Sequence, residues 1–215
     1  MKQTLVGNGA LGFRVHSGWA VAIVIAGPIE APAILDRRRI EIADAEIAGS
    51  KQPYHAAQEL ELKEAEKLIA RCTNASVRLA KRAVAVAIED ALAKGVSVST
   101  SGVLTGSGRP LPALKTILSS HPLLHTAEGE LFRNAVMVAC TDCGLPIFTV
   151  KENEVLVRSS SELRISEQAI QQHLGRMGKV VGSPWRQDEK LATRMAWLSL
   201  AAEARKTSSR VSASC

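Results

Sequence analysis

The stretch Leu11-Gly-Phe-Arg-Val-His16-Ser17-Gly18-Trp19-Ala-Val-Ala-Ile-Val-Ile-Ala26 decides the fold. Two short apolar runs, Leu11–His16 and Trp19–Ala26, flank Ser17-Gly18, a tight-turn signal, and together they read as a β-hairpin. After the Gly27-Pro28 break, Ala33–Ile42 (AILDRRRIEI) carries apolar ends around a polar middle. That is the pattern of an edge strand exposing a basic patch, Arg37-Arg38-Arg39.

Outward from the hairpin the pattern turns helical. From Tyr54 to Lys94 no proline or glycine interrupts the chain, and apolar or small residues recur every three or four positions, from Leu62, Ala65, Ile69 and Cys72 to Ser76, Leu79, Ala83, Val86 and Asp90. At ~1.5 Å per residue such a helix is roughly 60 Å long, so it either bends near Thr73-Asn74 or projects toward a partner, and residues 54–94 become a candidate homodimer contact. Gly95 ends it, and Val96–Leu104 alternates apolar residues with Ser and Thr as a half-buried strand. His121-Pro122 opens the next helix, Gly144-Leu145-Pro146 stops it, and Ile147–Val150 reads as a short strand. Two helical stretches follow, Glu162–Met177 and Asp188–Arg205. The α/β order is a three-stranded antiparallel meander, then two strands each reached by a helical crossover. Residues 1–10 read as a flexible lead-in, 11–205 as one domain and the Ser/Arg-rich 206–215 as a disordered tail.

Composition sets the outer bounds. At 215 residues one core is expected; with 46% hydrophobic but only 3% aromatic residues, it must be built from Ala, Val, Leu and Ile. The longest apolar run, Trp19–Ala26, is far short of the ~20 residues a membrane helix needs, and the amino end carries no export pattern, so a cytosolic protein is expected. Cys72, Cys140, Cys143 and Cys215 are too few and scattered for a disulfide framework. The net charge of +6 is concentrated: from Arg176 onward eight Lys/Arg stand against three Asp/Glu, which directs an anionic partner such as nucleic acid to the carboxyl-terminal part.

Gly12-Phe13-Arg14-Val15-His16-Ser17-Gly18-Trp19 resembles the first hairpin of Holliday-junction resolvases, where Gly, an apolar residue, Asp, two turn residues and Ser lead into the second strand. Trp185-Arg-Gln-Asp188-Glu189-Lys190, at the start of the last helix, stands where that family carries its final carboxylate. With the element order, these residues resemble the ribonuclease H-like superfamily. The resemblance implies a pair of divalent metals ~3.5–4 Å apart, held by carboxylates of the first strand, the fourth strand and the last helix, clamping a phosphodiester. The chain departs from that pattern: Arg14 stands where the first-strand Asp belongs, Val96–Leu104 holds no acid, and only Asp188, with Glu189, remains. One carboxylate cannot hold two metals and a cation at Arg14 repels them, so the resemblance implies a degenerate relative or chemistry by other residues.

Other constellations are local. In His121-Pro-Leu-Leu-His125-Thr-Ala-Glu128-Gly-Glu130, spacings of four and three bring His121, His125 and Glu128 to one helix face, where imidazoles and a carboxylate can hold Zn²⁺ or another divalent metal; a helix start with a solvated face is the plainer alternative. His16, in the hairpin turn, can carry a proton or serve only the turn. Gln52-Pro-Tyr54-His55 is a candidate anion site or a plain helix start. Thr105-Gly-Ser107-Gly-Arg109-Pro lacks the lysine and spacing of a nucleotide loop, and Cys140-Thr-Asp-Cys143 has redox spacing but reads as structural thiols. Arg186, Lys190 and Arg194 repeat every four residues beside Asp188, a geometry suited to phosphates, with Arg38 a further basic contact.

Three functional expectations follow. The first is a nucleic-acid-associated ribonuclease H-like protein, with Asp188, His16 and Glu128 as candidate catalytic residues, Arg186, Lys190, Arg194 and Arg38 as nucleic-acid contacts, and a divalent metal at Asp188, His121, His125 and Glu128. Another is a metal-dependent or acid–base hydrolase in which His16, His125, Glu128 and Glu130 share one cleft. The last is a non-catalytic assembly protein that dimerises through the 54–94 helix.

Overall fold

The computed structural model describes residues 7–106 and 108–212. The chain is a mixed α/β protein. Strands β1 (Gly7–His16), β2 (Trp19–Ala26) and β3 (Ala33–Glu41) form the expected antiparallel meander, with His16 opposite Trp19 as the last pair of the hairpin. The tight turn between them needs Gly18, whose φ of 84° suits glycine. After α1 (Pro53–Ala56) and α2 (Leu62–Ala93), β4 (Val96–Thr105) returns parallel to β1. Helices α3 (Leu114–Leu118) and α4 (His121–Asp142) then lead to β5 (Ile147–Lys151), parallel to β4. A turn of 3-10 helix (Glu152–Glu154) precedes α5 (Val155–Leu163), α6 (Glu167–Val181) and α7 (Gln187–Ser212). The sheet order is β3-β2-β1-β4-β5.

The period-two alternation of β1 sorts the two faces. Leu11, Phe13 and Val15 face a core completed by Ala80, Val84 and Ala87 of α2 and Phe132, Val136 and Ala139 of α4. Ala10 faces the opposite way, into a core with Ile170 and Leu174 of α6 and Ala192, Ala196 and Trp197 of α7. Gly12 lies on that second face too, next to Gly102 of β4. A Cβ on Gly12 would overlap the Ala192 carbonyl and the Ala196 amide nitrogen, and one on Gly102 would overlap the Met195 carbonyl. The glycine pair therefore lets the backbone of α7 lie directly on the sheet.

Several expectations shift. The first strand starts at Gly7 rather than after a ten-residue lead-in, because Gly7 pairs with Val96 and Gly9 with both Val98 and Ala26, so both edges of this central strand are hydrogen-bonded. Residues 1–6 of that lead-in, and Ser107 of the loop after β4, lie outside the described residues. The expected tail from 206 continues α7 to Ser212, and residues 213–215 lie outside the described residues. The 54–94 segment is divided at 57–61, while α2 runs unbroken through Thr73-Asn74 for about 48 Å. Its buried stripe, Ala65, Cys72, Ala75, Ser76, Ala80, Val84, Ala87 and Ala91, packs within the chain on α4 and the sheet, while Leu62 and Val86 of the row expected to meet a second copy stay exposed. Among the described residues, no helix is long and apolar enough to cross a membrane.

Candidate functional site

Because β1, β4 and β5 are parallel, their carboxyl ends share one edge of the sheet, the usual place for ligands in open α/β sheets. The parity that points Gly12 at α7 also points Arg14 and His16 that way. With α7 seated on the glycine pair, Asp188 in its first turn reaches both: Oδ1 is 3.1 Å from His16 Nε2 and 3.6 Å from Arg14 Nε. These are ion pairs by distance but are not aligned as hydrogen bonds. Arg14 NH1 donates to Glu152 Oε2 at 2.8 Å, just beyond β5. Asp188 and Glu189 suit the positive end of α7, and Glu189 accepts a hydrogen bond from the Arg186 amide at 2.7 Å, satisfying one free donor at the helix start. His16 stacks on Trp19 with ring centroids 4.3 Å apart, and the Arg39 guanidinium lies 3.8 Å over the same Trp19 ring. A polar cavity of about 450 Å³ opens beside Glu152, lined by Gly106, Arg109, Lys151, Glu152 and Asn153.

These donors do not fit a pair of divalent metals. The guanidinium of Arg14 pairs with both carboxylates at this edge, Glu152 and Asp188, and β4 offers no acid. Bringing two dications beside a fixed, partly buried cation is electrostatically unfavourable, whereas both carboxylates are already paired with that cation as they stand.

The basic residues expected to meet nucleic acid divide into two groups. Arg186 is exposed and Lys190 half-buried at the start of α7, beside Asp188. Arg194, by contrast, is 2% exposed and donates twice to the Glu167 carboxylate, both at 2.6 Å, which holds that carboxyl below its ordinary value. Four-residue spacing advances about 40° per step around a helix, which carries Arg194 from the exposed face into the core. Arg38 is occupied by Asp36 at 2.5 Å and Asp90 at 2.8 Å, and Arg37 donates to the carbonyls of Gly182, Ser183 and Pro184. The arginine patch on β3 thus secures the fold, because an edge strand brings it beside acceptors on α2 and the loop before α7.

Glu128 is not part of the strand-end cleft. It projects from α4, on the other side of the sheet from α7, so the expected joint use of His16, Asp188 and Glu128 does not occur, nor does a single metal shared by Asp188, His121, His125 and Glu128. Glu130 pairs with Arg133 at 2.8 Å beside Gly106, apart from Glu128, so the hydrolase cleft expected from His16, His125, Glu128 and Glu130 does not assemble. Instead Glu128, its side chain 1% exposed, accepts from the Nδ1 and the backbone amide of His55 at 2.9 and 3.2 Å. His121 and His125 keep the expected shared face, their Nε2 atoms 3.0 Å apart, and His55 joins them so that one ligand nitrogen from each ring lies within 4.8 Å of the others. Burial, then the Glu128 charge, pushes the neighbouring Tyr54 phenol up. The sequence signal that marked Tyr54-His55 pointed to anions; its partnership with α4 is set by tertiary contact.

The Cys140/Cys143 pair is not a redox motif in the fold. Cys140 is fully buried and its thiol is pushed up to about 12, mainly by burial. Cys143 is half-buried and also raised by burial, and both are free; Cys215 lies outside the described residues.

No protein-family model matches the chain, and no curated protein matches its sequence. Among solved structures, it is similar to RuvC of T. thermophilus in complex with a Holliday junction substrate, at 9% identity and a TM-score of 0.47, over 92% of this chain and 95% of that one. It is likewise similar to a Thermus thermophilus RuvC structure, at 11% identity and a TM-score of 0.47, over 93% of this chain and 97% of that one.

Proposed function

We propose that the chain is a ribonuclease H-like protein that binds nucleic acid at the carboxyl edge of β1, β4 and β5 without hydrolysing it. The fold part rests on the sheet order β3-β2-β1-β4-β5 with only β2 antiparallel to the central strand, closed on one face by the last helix. The observation that carries the functional part is Arg14, held between Glu152 and Asp188 where metal-binding carboxylates would have to stand. A fixed guanidinium there recognises a phosphate and does not activate water.

The surroundings suit an anion. Arg109 and Lys151 line the cavity, and Arg186 and Lys190 flank the amino end of α7, whose backbone amides add partial positive charge. Glu152, half exposed, is the partner a phosphate can displace from Arg14, whereas Asp188 is held against both Arg14 and His16. The Arg39–Trp19–His16 stack beside this edge supplies an aromatic surface for a base.

Fluorescence anisotropy with labelled single- and double-stranded DNA and RNA tests this. Affinity should fall log-linearly with salt, and the double variant Lys151→Glu, Lys190→Glu should weaken binding and reduce the salt slope by about 1 per lost phosphate contact. Absence of affinity, or affinity indifferent to salt, contradicts the proposal.

A further inference from the structure

On the opposite side of the sheet from Arg14, we infer that His55, His121 and His125 form a binding site for one divalent transition-metal ion of the zinc type, with Glu128 orienting His55 from behind. This site does not depend on the nucleic-acid proposal.

The ligand geometry is local and tertiary at once. His121 and His125, one helical turn apart in α4, turn their Nε2 atoms toward each other at 3.0 Å. His55, on α1, stands with its ring centroid 5.4 Å from that of His121 and 4.7 Å from that of His125. Its Nδ1 is taken by Glu128, which leaves Nε2 as the nitrogen free for a metal. In a tetrahedral zinc site with bonds of about 2.0–2.1 Å, neighbouring ligand nitrogens stand roughly 3.3 Å apart. The observed separations, 3.0 Å for His121–His125 and none above 4.8 Å, bracket that value, and small rotations of the exposed His121 and His125 reach it.

A hydrogen bond between His121 and His125 explains only two of the three rings. Glu128 is the independent observation. Its carboxylate is buried beneath the cluster and Oε2 has no hydrogen-bond partner. A buried carboxylate whose hydrogen bonds come only from the ring and backbone amide of one histidine has no fixed cation such as Lys or Arg beside it, which makes its burial costly. A metal on Nε2 polarises the His55 ring, makes Nδ1–H a stronger donor to Glu128, and supplies positive charge through the ring; this carboxylate–histidine–metal relay fixes both the tautomer and the ring orientation. The same negative charge, in contact with His55, favours a cation at the cluster. Neutral nitrogen ligands select a borderline metal such as Zn²⁺ over Mg²⁺, which prefers oxygen. Three protein ligands leave a fourth position for water or another small ligand, and His55 also lines a cavity of about 460 Å³ with Gly49, Ser50 and Gln52.

The test uses the untagged full-length chain, stripped of metal by chelator, titrated with Zn²⁺ by calorimetry and with Co²⁺ by visible absorption. One equivalent of Zn²⁺ should bind and raise the melting temperature, Mg²⁺ should not compete, and Co²⁺ should give the intense bands of a tetrahedral site. His121→Ala with His125→Ala, both exposed positions, with retained folding verified by circular dichroism, should lose roughly 100-fold or more in Zn²⁺ affinity, and Glu128→Gln roughly 10–100-fold. Zinc affinity unchanged in the double histidine variant, or a Co²⁺ spectrum like that of the aqueous ion, overturns the assignment. Should Glu128→Gln not fold, the histidine variant alone decides.

Discussion

Gly12 of β1 and Gly102 of β4 lie side by side across the parallel pair and form the seat of α7. The strand-end cleft depends on this contact, because it sets how closely Asp188 approaches Arg14 and His16. Gly12→Ala or Gly102→Ala puts a methyl group into the α7 backbone and should destabilise the chain by about 3 kcal/mol or more, beyond the ordinary range for overpacking, since main chain must move. Gly175→Ala, on α6 with nothing within 4 Å of the added carbon, should instead stabilise by about 0.5–1 kcal/mol. Urea denaturation of the three variants checks the contrast.

The Arg194–Glu167 pair makes stability depend on acid. Hydrogen bonds from Arg194 hold the Glu167 carboxyl below its ordinary value of 4.5. A depressed carboxylate contributes stability in full above the unfolded value, and this is lost as the pH falls through the folded value. Removing Arg194 leaves a Glu167 that is 35% exposed and can turn to water, whereas removing Glu167 strands a cation that is 2% exposed. Glu167→Gln should therefore cost about 3 kcal/mol and Arg194→Met about 1–2 kcal/mol, the exposed end reducing both through solvent screening. Denaturation at neutral pH and again below the carboxylate range should show the wild type losing the advantage that Glu167→Gln never had.

Thiol reactivity should separate the two cysteines of Cys140-Thr-Asp-Cys143. With its thiol near 12, on the order of one Cys140 in 10⁵ is a thiolate at neutral pH, and the side chain has no access to solvent. Alkylation of the native chain followed by mass spectrometry should label Cys143 slowly and leave Cys140 untouched until denaturant is added. Equal labelling of the two in the native chain contradicts the burial assigned here.

What sequence makes legible is what is local. The β1–β2 hairpin announces itself through Ser17-Gly18 between two apolar runs, and the shared face of His121 and His125 through a spacing of four. The pairings that define the sites are not local: Arg14 meets Glu152 across 138 residues, and His55 meets Glu128 across 73. Nothing in the neighbourhood of either partner marks them. Periodicity also misleads where its period is slightly wrong, since a row read at four residues per turn places Arg194 with Arg186 when the helix buries it. Gly12 looks like part of a strand motif, and its role as a helix seat exists only once α7 returns to the sheet.

The central claim, that Arg14 replaces metal chemistry by anion recognition, is tested most directly by following labelled DNA and RNA with the wild-type chain in Mg²⁺ and in Mn²⁺, at protein concentrations where anisotropy shows the substrate bound. Binding with no cleavage above that of buffer, unchanged in Asp188→Asn, is the result predicted. Cleavage that requires the divalent ion and disappears in Asp188→Asn would contradict it.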